Sequence, residues 1–99
     1  MVNQPRRVAI TGMGLVTPVG NNLGETWQSL LEARSGVAPI SLFDASGFSV
    51  RIAAEVKGDT YLCNTGHKRL SKAATRSHLF ALAAAEEAIQ DAGIRPDAA

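Results

Sequence analysis

RRVAITGMGLVTPVGNN, residues Arg6 to Asn22, decides how the rest of this chain is read. Val8 to Val16 is apolar and rich in β-branched residues, with little alternation, the pattern of a strand buried on both faces. Thr17-Pro18 and Gly20 break it, because proline lacks a donor and fixes φ. Gly12, Gly14 and Gly20 invite comparison with a dinucleotide-binding turn. That fingerprint needs G-x-G-x-x-G, so that a third glycine packs the helix on the strand and the helix N-terminus meets the pyrophosphate. Here Thr17 holds the third position, and Gly20 arrives three residues late. No acidic residue closes a second strand about 20 residues on, as the ribose contact needs. No Gly-Lys-Ser/Thr follows either. A tight turn with close backbone approach is the simpler reading, and a nucleotide-binding domain is kept only as the weaker alternative.

Outward from this loop, local signals are plain. Asn22 is an N-cap, and Glu25 stands at capping-box spacing. Leu23, Trp27, Leu30 and Leu31 form one apolar stripe of a helix over about 23–34, ended by Ser35-Gly36 with Gly36 in the left-handed C′ conformation. Val37 to Gly47 reads as connecting loop, with Ile40 and Phe43 as core anchors. Val50 to Val56 alternates, placing Val50, Ile52, Ala54 and Val56 on one face of a second strand. Lys57 to Lys68 lacks a period and reads as loop. Ser71 is set to cap a second helix over about 71–92, with Gly93 at C′, Ile94 folded back on Ile89, and Pro96 barring continuation.

Within that helix, LFALAAA (79–85) is apolar on every side. Such a helix is normally enclosed by other elements, and two strands with two helices can hardly surround it. The 99 residues therefore read as a single incomplete domain.

Composition narrows the function classes. Ten Lys and Arg stand against nine Asp and Glu, for a net charge of +1. No strong field recruits nucleic acid or an anionic membrane. No segment approaches the roughly 18 apolar residues that span a bilayer. MVNQPRR has no signal-peptide core. One cysteine excludes an internal disulfide and suits a reducing cytoplasm.

The remaining candidates for chemistry are modest. Cys63 and His67 are four apart, but Asn64, Thr65 and Gly66 between them oppose a helix that would pair them, so Cys63 reads as an ordinary loop thiol. Asp59, Cys63 and His67 are too few for a structural zinc site. His78 reads as a packed or partly exposed helix residue, and Glu86, Glu87 and Asp91 as the solvated side of the last helical turns. Lys68, Arg69, Lys72 and Arg76 gather at a helix start, where the macrodipole disfavours cations. They form a solvated surface or a contact for an acidic partner.

Four blocks in order, RRVAITGMGLVTPVGNN, TWQSLLEARSGVAPISLFD, IAAEV and ALAAAEEAIQDAGI, resemble the N-terminal part of a β-ketoacyl-[acyl-carrier-protein] synthase of the elongating type. Asp59 to Ser77 departs from the pattern of many members, which leaves polyketide ketosynthases and chain-length factors open as subfamilies. The resemblance implies an α/β fold, the N-terminal portion of a thiolase-like layered architecture, usually in a homodimer. It implies acyl carrier protein as partner; on charge alone the basic group Lys68, Arg69, Lys72 and Arg76 is the candidate contact, and no cofactor or metal is expected.

In such enzymes a cysteine takes the acyl chain, and malonyl on the carrier loses CO2. The carbanion then attacks the acyl thioester, while two histidines and backbone N–H groups stabilise its oxygen. In the family these groups lie downstream of the stretch matched here. Cys63, in YLCNTGH, has other neighbours, and His67 and His78 fit neither histidine motif. No catalytic residue is assigned. A non-catalytic accessory or carrier-binding module is the alternative.

Overall fold

The computed structural model describes residues 3–58 and 74–95. Its elements in chain order are α1 (Leu23–Leu31), β1 (Val37–Pro39), β2 (Ile52–Ala54) and α2 (Arg76–Ala92). The expected Ser71 cap, Cys63, His67, Lys68, Arg69, Lys72 and Pro96 lie outside the described residues.

α1 begins as its sequence dictates. Asn22 is extended, and its Oδ1 accepts from Glu25 N at 2.8 Å. Glu25 Oε2 reaches one residue further back than a capping box requires, accepting from Asn21 N at 2.8 Å. The far end differs from expectation. The left-handed residue is Ala33, with φ 55°, and not Gly36. Arg34 N donates to Ser29 O at 2.9 Å and Ala33 N to Leu30 O at 3.1 Å, the two bonds of a Schellman ending. The helix thus stops three residues before the expected boundary. Gly36 is needed for a different reason: a Cβ there would lie 2.8 Å from Pro18 Cβ.

α2 starts at Arg76, later than expected, with Thr75 as N-cap. Thr75 N donates to His78 Nδ1 at 3.3 Å, so His78 holds the helix start from an exposed position. Its C-terminus matches the reading from sequence. Gly93 has φ 69°, and Gly93 N and Ile94 N donate to Gln90 O and Ile89 O.

β1 and β2 pair antiparallel, with Val37 opposite Ala54, Ala38 opposite Ala53 and Pro39 opposite Ile52. Part of the expected connecting loop is therefore strand, and the second strand is shorter than 50–56. Its burial is inverted as well: Ala53 is half-buried while Ile52 and Ala54 are exposed. Ile40 N donates to Arg51 O at 2.9 Å, and beyond it the chain makes a loop in which Phe43 and Phe48 meet edge to face, 5.9 Å apart. Phe43, 57% exposed, is no core anchor.

Residues 8–16 form no ladder among the described residues. The expected strand over 6–16 is replaced by a segment laid along α2 in the opposite sense. A Cβ on Gly12 would lie 2.5 Å from Ala88 O and Ala92 N, and one on Gly14 would overlap Ala84 O. Two residues of extended chain advance about 6.7 Å, and four helical residues about 6 Å. Gly-x-Gly therefore steps in register with Ala84, Ala88 and Ala92 on one face of α2.

Among the described residues the buried apolar set is Ala45 and Ala83, while Val8, Ile10, Trp27, Leu30 and Leu31 are exposed. Of the apolar stripe expected to bury α1, Trp27, Leu30 and Leu31 face outward while Leu23 is half-buried. The opposite face is held instead: Thr26 Oγ1 lies 3.0 Å from Thr17 Oγ1, and Ser29 Oγ donates to Val19 O at 2.6 Å.

Candidate functional site

The glycine loop raised the question of a phosphate cradle, and its surroundings answer it. The same register that seats Gly12 and Gly14 on the alanines brings their neighbours to two acids of α2. Met13 N donates to Asp91 Oδ2 at 3.0 Å, and Leu15 N to Glu87 Oε1 at 2.9 Å. Glu87 also accepts from Leu23 N with both oxygens, at 3.1 and 3.0 Å. Leu23 is the first residue of α1, so its N–H belongs to the helix start that favours an anion. That place is occupied by the chain's own carboxylate. The face of Gly12 and Gly14, where a pyrophosphate would need to approach, is filled by α2 backbone. This geometry is a packing joint, and it leaves the dinucleotide reading no room. Glu87 and Asp91, read from sequence as merely solvated, are the side chains that make it.

A turn follows the joint. Thr17 N donates to Gly20 O at 2.8 Å and Gly20 N to Thr17 O at 3.2 Å, with Pro18 and Val19 between them. Lys57 Nζ donates to Gly36 O at 2.9 Å and reaches Pro18 O at 3.5 Å. Asn21 Nδ2 donates to Lys57 O at 2.9 Å. Together these ties line an open cleft of ≈ 290 Å³, which Glu25, Ser29 and Arg34 also border. The Arg34 guanidinium is paired with Glu32 at 2.7 Å.

Of the four cations read as candidate carrier contacts, Arg76 lies in the described residues. Its Nη2 donates to Val56 O at 2.9 Å, and its guanidinium stacks 5.1 Å over the Phe80 ring. Arg76 thereby ties the start of α2 to the chain leaving β2. Its position at the helix start is reconciled by these two partners, which offset the unfavourable dipole. Among the described residues no three His, Cys, Asp or Glu side chains cluster as a metal would need, and no helix is long and apolar enough to cross a membrane.

One more carboxylate organises the hairpin. Glu55 accepts from Ser41 N at 3.0 Å, Ser41 Oγ at 2.9 Å and Leu42 N at 3.1 Å. The Ser41 backbone bond does most to hold its pKa below the ordinary value of 4.5. Asp44, bonded to Ser46 N at 3.0 Å, is lowered in the same way. Both groups are solvated, and they shape a loop without presenting a reactive pair.

Among its described residues this α/β piece is organised by a glycine-on-alanine joint. The chain belongs to the β-ketoacyl synthase family, matching its N-terminal domain over residues 5–99. It is 42% identical over 91 residues to 3-oxoacyl-[acyl-carrier-protein] synthase 2 of Coxiella burnetii, a match covering 92% of this chain and 22% of that relative. The enzyme of the same name from Synechocystis is 40% identical over 89 residues, with 90% and 21% covered. Among solved structures, the ishigamide ketosynthase/chain length factor superposes with a TM-score of 0.77 at 34% identity, over 89% of this chain and 22% of that one. The chain thus spans about a fifth of the relatives it matches.

Proposed function

We propose that this chain is the N-terminal part of a 3-oxoacyl-[acyl-carrier-protein] synthase, acting in fatty-acid or polyketide elongation by decarboxylative condensation of an acyl thioester with malonyl on the carrier. The observation that carries this reading is the fold match to the ishigamide ketosynthase/chain length factor, at a TM-score of 0.77 over 22% of its length. The outward-facing Val8, Ile10, Trp27, Leu30 and Leu31 support it, because such surface suits the interior of a larger layered domain. In this reading residues 1–99 form one incomplete domain and supply scaffold, while the acyl-accepting cysteine and the two histidines come from elsewhere in the protein. The 99 residues alone are expected to show no condensation.

A transplant tests the proposal. The corresponding fifth of the Coxiella burnetii synthase is replaced by this sequence, and condensation with malonyl-carrier is measured. Activity within about tenfold of the parent is the expected outcome. A soluble, folded chimera without activity would overturn the scaffold reading, as would turnover by the 99 residues alone.

Acyl carrier protein is the proposed partner, through Lys68, Arg69 and Lys72 together with Arg76, because a basic group complements an acidic carrier. Reversing the first three charges in the active chimera is expected to raise KM for the carrier in a salt-dependent way, with kcat retained. An unchanged KM would remove this contact. A homodimer in a cytoplasmic setting completes the proposal. The second reading, a chain-length-factor-like subunit without catalysis, is favoured by the composite nature of the structural neighbour. It predicts a folded chimera that is inactive by itself and active only when a ketosynthase subunit is added.

A further inference from the structure

No further inference is drawn: the strongest candidate, the open cleft between the Thr17–Gly20 turn, the C-terminal end of α1 and Lys57, carries nothing, because Glu25, Ser29 and Lys57 are already bonded within the chain and nothing in the structure shows what would occupy it.

Discussion

Two regions of this molecule use one chemical device at different range. In the joint, Glu87 and Asp91 accept backbone N–H groups from residues 64 to 78 positions away. In the hairpin, Glu55 accepts from residues 13 and 14 positions away. Both exploit the strength of a hydrogen bond to an ionised acceptor. They differ in what else comes together. The joint also needs backbone to touch backbone, Gly12 and Gly14 on the alanines of α2, whereas the hairpin already has a ladder and an aromatic pair. The joint fixes the positions of α1, α2 and the opening segment together. The hairpin's carboxylate refines a loop whose ends β1 and β2 have already closed.

This contrast can be broken most sharply at Gly14. A Cβ there overlaps Ala84 O, and the obstacle is helix backbone. Gly14→Ala is expected to cost about 3 kcal/mol or to abolish folding, at the upper end of overpacking effects. Gly47→Ala, with nothing within 4 Å of the added carbon, should stay within about 0.5 kcal/mol of the parent. Urea denaturation of the two variants decides between a specific clash and a general intolerance of alanine.

Glu87 ranks second. Replacing it with alanine leaves Leu15 N and Leu23 N without their acceptor, and about 2 kcal/mol is expected from the loss of charge-assisted bonds at a half-buried site. Glu87→Gln keeps an acceptor but adds a donor facing other donors, so it should recover part of that loss. Equal stability of all three forms, by thermal melting, would show that the joint rests on the glycines alone.

The hairpin provides the smaller counterpart. Glu55 has its folded pKa lowered, so its contribution is present above the unfolded value of 4.5 and fades as pH falls through the lower folded value. The amide proton shifts of Ser41 and Leu42 should titrate together with a midpoint below 4.5. A midpoint at or above that value would contradict the hydrogen bonds. Global stability should respond less to Glu55→Gln than to Glu87→Gln.

The smallest effect concerns the end of α1. Ala33 sits at φ 55°, which costs a residue with a Cβ about 1 kcal/mol. Ala33→Gly should recover up to about that amount, less the added flexibility of the unfolded chain. A destabilisation on denaturation would mean that Ala33 makes a compensating contact.

What could be read without coordinates follows the same divide. Asn22 with Glu25, and Gly93 with Ile94, were legible because their partners lie within five residues along the chain. The glycine pair was legible as close packing, and the four blocks as a family. The left-handed Ala33 was not, because glycine two positions past Arg34 carries the stronger conformational signal while Gly36 serves contact with Pro18. Nor was the orientation of α1. A stripe of Leu and Trp marks a helix that buries apolar surface somewhere, but the hydrogen bonds of Thr26 and Ser29 to the Thr17–Gly20 turn decide which face meets the described part of the chain.

By itself the sequence determined the kinds of local structure, the starts and stops set by short-range caps, and membership of the β-ketoacyl synthase family. Only the tertiary structure decided that the opening segment lies on α2, with no ladder among the described residues, and that Glu87 and Asp91 are fasteners. The reason is geometric. A carboxylate on a helix looks the same in sequence whether it faces water or a backbone amide 64 residues away, and only the coincidence of a two-residue step of extended chain with a four-residue helix step brings them together.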